Sequence, residues 1–327
     1  QKQMTWEYSE DNLIEKTAID LLSNQLGWDT FHAYNEETFG EGGSLGRSGK
    51  NEVLLRKIFL EKLREFNPGL PEQAYIQAYE KLTEESVTKS LAEINFEKYQ
   101  RLRNGIEVDF ENDRGEQVRN KSLKVFDFET PENNHFLAVQ QLWIMGKSNR
   151  ERRPDIIGFV NGIPLLFIEL KAAHRKLENA FNNNLTDYKD VIPGLFYYNA
   201  FVLLSNGIES RIGSITGKYQ HFHEWKRITE EDEGVVALDR IIVGVCEKKR
   251  FMDLFENFIL FDSSLGTPSK LIARNHQFIG VNKAIENIRQ KEELYRAGQI
   301  SLEEKQKLGV FWHTQGSGKS YSMIFFA

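Results

Sequence analysis

The chain has 327 residues, of which 40% are hydrophobic and 28% charged, and its formal net charge is −6. This composition is typical of a soluble globular protein, and the length predicts one large domain and part of a second. The single cysteine, Cys246, excludes a disulfide framework and a cysteine-based zinc cluster. No apolar run is long enough to cross a bilayer and no signal-peptide core is present, so we expect a cytoplasmic protein.

The first part of the chain has helical patterns. Apolar residues at positions 14, 18, 21 and 22, followed by Gly27, predict an amphipathic first helix. We expect Glu15 on this helix to be solvated rather than to approach a metal. Residues 39–52, FGEGGSLGRSGKNE, are rich in glycine and predict a mobile loop. Residues 53–95 are mostly helical, with a break at NPGLPE.

Strand patterns follow. GIEVDF, LKVFDF and FLAVQQLWIM are each rich in β-branched and aromatic residues. Residues 152–171, RRPDIIGFVNGIPLLFIELK, predict a β-hairpin, because two apolar runs flank Asn161-Gly162, a dipeptide that fits a type I′ turn. The helix-like KLENAFNNNLTDYKDV, the strand AFVLLSNG and a helical region over 281–307 come next. This order predicts a mixed α/β fold, with a mixed sheet flanked by helices.

Charged residues stand at the ends of this apolar hairpin. Asp155 precedes the first strand, and Glu169 and Lys171 end the second. Two acids and a lysine on neighbouring strands are the arrangement used for metal-assisted phosphodiester hydrolysis, in which Asp155 and Glu169 would hold Mg²⁺. The main-chain carbonyl of Leu170 would be a third ligand. Because side chains alternate along a strand, Glu169 and Lys171 share a face, where the ammonium would position water or stabilise the phosphate.

A plainer alternative is a solvated strand end with an internal Glu–Lys pair. Two basic runs argue against it, because they flank the acids. KSNRERR (147–153), which contains Arg152 and Arg153, precedes the hairpin, and a second group follows it. Basic runs are often only solvated faces, but here they favour contacts with DNA phosphates.

The last residues, GVFWHTQGSGKSYSMIFFA, have the strand–loop–helix pattern of a phosphate-binding loop. The glycine backbone would face ATP phosphates, Lys319 would meet the β and γ phosphates, and Ser320 would hold Mg²⁺. His313 stands where such loops usually have their first glycine. We expect an N-terminal fragment of a longer motor protein. The predicted nucleotide-binding residues of this loop are Gly316, Ser317, Gly318, Lys319 and Ser320.

A second nucleotide contact is predicted upstream of the loop. ARNHQF (273–278) follows a linker-like SSLGTPS, and helicase-type motors often place a glutamine here to read adenine. Gln277, with Arg274, is the candidate. An ordinary polar helix start is an equally good interpretation.

In this order LRNGIEVDF, NHFLAVQQLWIMG, RRPDIIGFVNGIPLLFIELK, FVLLSNG, ARNHQF and HTQGSGKS resemble the N-terminal half of the R subunit (HsdR) of type I restriction enzymes. The resemblance covers nearly the whole chain. It implies a PD-(D/E)xK endonuclease domain over 1–262. It also implies a linker and the start of a RecA-like, superfamily 2 translocase over 263–327. The family's Gln-x-x-x-Tyr motif matches Asn184 and Tyr188, one helical turn apart, with asparagine in place of glutamine.

The resemblance implies ATP-driven, Mg²⁺-dependent cleavage of double-stranded DNA in a prokaryotic cytoplasm. The partners would be modification (methyltransferase) and specificity subunits. Two alternatives stay open: a stand-alone nuclease–helicase of DNA repair, and a non-catalytic docking module whose hairpin acids are structural.

Overall fold

The structure is a computed structural model that describes residues 12–234, 237–264, 266–307, 309 and 318–327. Helix α1 covers 12–20 and continues into a π-helical turn, Leu21–Gln25. No helix in these ranges is long and apolar enough to cross a bilayer. The other helices are α2 (Arg56–Phe66), α3 (Glu72–Thr83), α4 (Leu91–Asn104), α5 (Thr186–Val191, after a π-helical turn Ala180–Leu185), α6 (Pro193–Phe196), α7 (Leu238–Cys246), α8 (Lys248–Asn257), α9 (Asn275–Arg296), α10 (Leu302–Gln306) and α11 (Lys319–Phe326).

The strands are β1 (Asp29–His32), β2 (Ile106–Glu111), β3 (Gln117–Leu123), β4 (Phe136–Gln140), β5 (Ile144–Met145), β6 (Glu151–Arg152), β7 (Ile156–Val160), β8 (Ile163–Leu170), β9 (Phe201–Ser205), β10 (Ser210–Gly213), β11 (Ile259–Asp262) and β12 (Ser269–Ile272). Six of them form one sheet in the order β1-β4-β7-β8-β9-β10. Strand β1 is parallel to β4 and β8 to β9, and the other neighbours are antiparallel. The predicted mixed α/β fold is therefore confirmed.

The sheet is covered on both faces. Residues of α1–α4, α7 and α8 form one apolar cluster with Ile156 and Ile168. Residues of α5 and α6 form a second cluster with Ile157 and Phe167. Every residue of β7 and β8 is buried, which explains why both strands are continuously apolar rather than alternating.

Two strand predictions differ from the structure. The run LKVFDF is not a strand, since β3 ends at Leu123 and residues 124–128 follow as irregular chain. The run FLAVQQLWIM is two strands, because β4 ends at Gln140 and Gln141 has a left-handed backbone with φ of 53°. The strand and hairpin predictions for β2, β7, β8 and β9 are confirmed.

The glycine-rich segment 39–52 is a loop, but a buried ion pair fixes its middle. Arg47 is fully buried and donates to both carboxylate oxygens of Glu37, at 2.7 and 2.6 Å. It also donates to the carbonyl oxygens of Glu52 and Trp143, at 2.9 and 3.0 Å. The prediction of a mobile loop did not anticipate these bonds, of which the one to Trp143 joins residues 96 positions apart.

The hairpin β11–β12 lies across the predicted domain boundary at 262. Lys270 on β12 is buried, its ammonium donates to the carbonyl oxygen of Asn199 at 2.5 Å, and burial lowers its pKa to about 7. Phe278 of α9 packs on Phe258, which precedes the boundary, with ring centroids 4.8 Å apart. Residues on both sides of 262 thus share one core, and the division at that point remains a proposal.

The turn of the central hairpin is buried, unlike most hairpin turns. Asn161 and Gly162 have φ of 50° and 78°, as a type I′ turn requires. The Asn161 amide donates to the carbonyl oxygen of Val125 at 3.0 Å. A Cβ on Gly162 would lie 2.5 Å from the carbonyl oxygen of Leu55, so only glycine fits both the conformation and the space.

We expect Gly162→Ala to lower the free energy of unfolding by about 2–5 kcal/mol, because it combines left-handed strain with a backbone clash. Gly69→Ala is the matched control, since Gly69 has a φ of 79° and a Cβ there would meet nothing within 4 Å. Its cost should be about 1–2 kcal/mol. Urea unfolding of both variants measures the difference, and equal costs would show that the Leu55 contact is unimportant.

Candidate active site

The hairpin register brings the predicted acids together. Ile156 of β7 pairs with Ile168 of β8, so Asp155 stands opposite Glu169. Lys171 directly follows β8, on the same face as Glu169 and Phe167. All three charged groups therefore meet at one end of the two central strands.

Hydrogen bonds hold these groups in a defined arrangement. The N–H of Leu170 donates to Asp155 Oδ2 at 2.7 Å, and the Lys171 ammonium donates to Glu169 Oε1 at 2.9 Å. Glu169 Oε2 is buried and has no hydrogen-bond partner in the described part of the chain. Since Glu169 is only 1% exposed, the alternative of a solvated strand end is wrong, although the Glu–Lys pair is present. The carbonyl of Leu170, as a metal ligand, stays a prediction.

Burial and a neighbouring acid destabilise the charged form of each carboxyl group. Burial raises the pKa of Asp155 to about 6, helped by the charge of Glu15 and opposed by the Leu170 N–H and Lys171. Burial and the charge of Asp155 raise the pKa of Glu169 to about 8, although Lys171 opposes this shift. A cation bound between the carboxylates would relieve both effects.

The donor set fits a divalent cation of the hard, oxygen-binding class. Asp155 and Glu169 present carboxylate oxygens on one face, and the buried Oε2 of Glu169 lacks a donor among the described residues. Within those residues, no three His, Cys, Asp or Glu side chains gather into a metal-binding group. A metal here would need main-chain or water oxygens besides the two acids, as Mg²⁺ commonly uses.

A third acid, Glu15, lies beside the site, although the sequence favoured a solvated position for it over an approach to a metal. Glu15 is only 9% exposed, so the expectation of a solvated side chain is wrong. Its carboxylate accepts from Gln140 Nε2 at 3.0 Å and from Gln141 Nε2 at 2.8 Å. Gln141 Nε2 also lies 3.3 Å from Asp155 Oδ1. The one sequence feature that could have indicated a buried partner for Glu15 is the pair of glutamines, Gln140 and Gln141, at the end of an apolar strand.

The predicted DNA-binding residues take different positions. Arg152 makes a two-pronged ion pair with Asp187 of α5, including a 2.9 Å bond from its Nη2. Arg153 instead stacks its guanidinium over the ring of Tyr34, 4.3 Å from the centroid. No carboxylate pairs with Arg153 within the residues that the structure describes.

Asn184 and Tyr188 are four residues apart, and Asn184 opposes the rise in the pKa of Tyr188. The Tyr188 hydroxyl donates to the carbonyl oxygen of Arg153 at 3.4 Å. Its ring packs edge-on against Phe167, 5.9 Å between centroids, and burial raises its pKa. Tyr188 thus packs against the face of β8 that carries Glu169.

Part of the predicted nucleotide site can be described. Gly316 and Ser317 lie outside the described residues. Gly318 has a left-handed backbone, with φ of 85°, and leads into α11, where Lys319 and Ser320 are exposed at the first two positions.

Gln277 caps the start of α9 and also bonds to the end of the predicted phosphate loop. Its side-chain oxygen accepts from the N–H of Arg274 at 2.8 Å, at the start of α9. Its Nε2 donates to the carbonyl oxygen of Gly318 at 3.0 Å. The structure therefore joins Gln277 to the end of the loop, and its contact with adenine stays a prediction.

The pKa shifts predict how stability depends on pH when no cation is bound. Ordinary carboxyl pKa values near 4 apply in the unfolded chain, whereas the folded values are about 6 for Asp155 and about 8 for Glu169. The folded state therefore binds more protons between these limits, and the free energy of unfolding falls as pH rises from about 4 to 8.

Glu169→Gln should remove the larger share of this fall. With chelator present, the variant and the wild type should have the same melting temperature near pH 4.5. At pH 8 the variant should melt at a higher temperature, and its free energy of unfolding should exceed that of the wild type by on the order of a few kcal/mol. Taking the difference between the two proteins cancels other titrating groups, such as Lys270. A constant difference across this pH range would contradict the shift.

Comparison with known proteins identifies the chain's relatives. The family model for the type I restriction enzyme R protein N terminus matches residues 7–221, and that for the SWI2/SNF2 ATPase matches 276–327. The chain is 35% identical, over 97% of its length, to the type I restriction enzyme HindI endonuclease subunit of Haemophilus influenzae, of which it covers 30%. It is 29% identical, over 98%, to a putative type I restriction enzyme MjaIXP endonuclease subunit of Methanocaldococcus jannaschii, of which it covers 31%.

The chain thus spans about a third of the length of these curated relatives. The R-protein match includes the whole central hairpin with Asp155, Glu169 and Lys171, and the ATPase match begins just inside α9. The order of the two matches is the order that the sequence motifs predicted. The chain belongs to the family of type I restriction enzyme R subunits.

Proposed function

We propose that Asp155, Glu169 and Lys171 form a Mg²⁺-dependent site that hydrolyses phosphodiester bonds of double-stranded DNA, as part of the endonuclease subunit of a type I restriction enzyme. The observation that carries the proposal is the buried, unpaired Oε2 of Glu169 opposite Asp155. A folded protein rarely retains such an atom without a ligand or a catalytic use for it.

Asp155, Glu169 and the Leu170 carbonyl would hold Mg²⁺. When bound, this ion makes a water molecule more acidic and offsets charge on the phosphate. The chain's own contribution is orientation, since the Leu170 N–H fixes one oxygen of Asp155 at 2.7 Å. The two acids can stay ionised together in a buried site only if positive charge lies beside them, and Lys171 supplies part of it.

Lys171 would act on the reacting groups directly. Its ammonium sits on Glu169 Oε1 at 2.9 Å, on the face where the acids meet. From there it would orient the attacking water and place a positive charge beside the scissile phosphate. Replacing it by a neutral side chain would remove this charge and also the hydrogen bond and charge that favour ionisation of Glu169.

Arg153 is the stronger of the two candidate phosphate contacts. Its guanidinium lies over the Tyr34 ring, a contact that uses none of its N–H donors and leaves them available for a phosphate. Arg152 is already paired with Asp187 and would instead hold α5 against the site. In the π-helical turn before α5, Asn184 would contact DNA, with a shorter reach than the family's glutamine, and Tyr188 of α5 would support it.

The C-terminal part would bind ATP with Mg²⁺ and drive translocation along DNA. Lys319, Ser320 and the preceding glycine loop would hold the phosphates, while Gln277 and Arg274 would contact the base. Modification and specificity subunits would select the DNA target in the cytoplasm of a prokaryote. We propose the division into a nuclease domain over 1–262 and a linker with the start of the motor over 263–327.

Separate sites predict separable losses of activity in the complex assembled from the intact protein and its modification and specificity subunits. Asp155→Asn, Glu169→Gln and Lys171→Ala should each reduce plasmid cleavage by about 100-fold or more, because each removes a metal ligand or the charge beside the nucleophile. DNA-stimulated ATP hydrolysis should stay near wild type. Lys319→Ala should abolish ATP hydrolysis.

Both activities are measured on the same preparations. Lys189→Ala is the matched control for Lys171→Ala, since Lys189 is also half-buried but donates to the carbonyl oxygen of Ile215 at 3.0 Å. Full cleavage by the acid variants would refute the nuclease site. Parallel loss of cleavage and ATP hydrolysis would show that the hairpin only supports the motor. DNA-end processing without the other subunits would favour a repair nuclease.

A further inference from the structure

Gln141 has an unusual backbone at the edge of the proposed cation site. It follows β4 and has a φ of 53°, a left-handed conformation that few residues other than glycine adopt. Its N–H donates to the main-chain carbonyl of Asp155 at 2.9 Å. This conformation ends the pairing of β4 with β7 and leaves the Gln141 side chain beside the Asp155 carboxylate.

The side chain of Gln141 joins two acids that belong to different elements. Its Nε2 donates to Glu15 Oε2 at 2.8 Å and lies 3.3 Å from Asp155 Oδ1. A primary amide nitrogen has two N–H donors, so one nitrogen can serve both carboxylates. Without it, the charges of Glu15 and Asp155 would repel each other with no donor between them.

The consequence for Asp155 is a fixed carboxylate plane. Leu170 N–H holds Oδ2 at 2.7 Å, and Gln141 holds Oδ1. Each carboxylate oxygen has about two lone-pair positions, so one hydrogen bond per oxygen still leaves room for a cation. The two donors thus orient the ligand without occupying it fully.

We propose that Gln141 is a positioning residue for the cation site: its amide, anchored by Glu15, holds Asp155 in the orientation that binds a divalent cation. This inference rests on the proposed function, because it assumes that Asp155 is a metal ligand. Gln141 touches no reacting group itself. Residues that orient metal ligands in this way typically change metal affinity by about 10- to 100-fold when replaced.

The chain supplies a matched control next to Gln141. Gln140 donates to the other oxygen of Glu15 at 3.0 Å and has no hydrogen bond to Asp155 within the described residues. If the amides mattered only by anchoring α1 through Glu15, removing either should have the same effect. If Gln141 positions Asp155, only its loss should weaken cation binding.

The test is Mn²⁺ binding, measured from the electron paramagnetic resonance signal of free Mn²⁺, on the intact protein without nucleotide or DNA. Gln141→Gly removes the amide and still accepts the left-handed backbone. It should bind Mn²⁺ about 10- to 100-fold more weakly than wild type. Gln140→Ala should stay within about twofold. Asp155→Asn defines the background from other sites.

Melting temperatures check that the variants fold. If Gln141→Gly does not fold, Gln141→Asn replaces it, since asparagine tolerates this backbone and its amide is too short to reach both carboxylates. If the Gln141 variant binds Mn²⁺ as tightly as the wild type while Asp155→Asn loses binding, the positioning role of Gln141 is overturned and the cation site stands. Equal losses in the Gln140 and Gln141 variants would also overturn it. Wild-type binding that Asp155→Asn does not reduce would instead refute the cation site, and the inference with it.

Discussion

Two carboxyl groups are buried side by side in the central hairpin, and the cost of ionising them there is the constraint on which the site depends. Glu169 is 1% exposed and stands opposite Asp155; burial raises the pKa of both groups, and the charge of Asp155 raises the pKa of Glu169 further. Burying a carboxylate costs several kcal/mol unless it is paired. Lys171 offsets part of this cost, and Leu170 N–H another part. A bound cation would offset the rest of this cost. The cost of ionising the two acids without a cation and the affinity of the site for a cation therefore have one physical origin.

The rest of the fold holds this pair in register. A slip of one residue between β7 and β8 would move Glu169 to the opposite face of the sheet. The buried turn at Asn161-Gly162 fixes the register next to it, because Gly162 lies against the start of α2 and Asn161 bonds to Val125. A one-residue shift between Gly158 and Phe159 of β7 then sets the register that places Asp155 opposite Glu169. The acids are at one end of the strands and the buried turn is at the other. Packing that secures the turn therefore also secures the site.

Local patterns predicted the parts of the site that lie on one hairpin. Alternation along β8 placed Glu169 and Lys171 on one face. The Asn-Gly turn pairs Val160 with Ile163, a register that, continued unchanged, would place Asp155 opposite Ile168. A one-residue shift between Gly158 and Phe159, which the sequence did not predict, places it opposite Glu169 instead. Contacts between distant segments were not predictable in this way. Glu15 meets Gln141 across 126 positions, and Arg47 meets Trp143 across 96. Nothing near Glu15 in sequence distinguishes it from a solvated helix residue, so only the folded chain shows its role.

The central claim is that Asp155 and Glu169 hold a divalent cation. The most direct measurement is a crystal structure of the protein with Mn²⁺, recorded near the manganese absorption edge. The account predicts an anomalous peak between the two carboxylates, about 2.0–2.3 Å from an oxygen of each. Absence of a peak there at saturating Mn²⁺, with both side chains ordered as in the structure described, would contradict it.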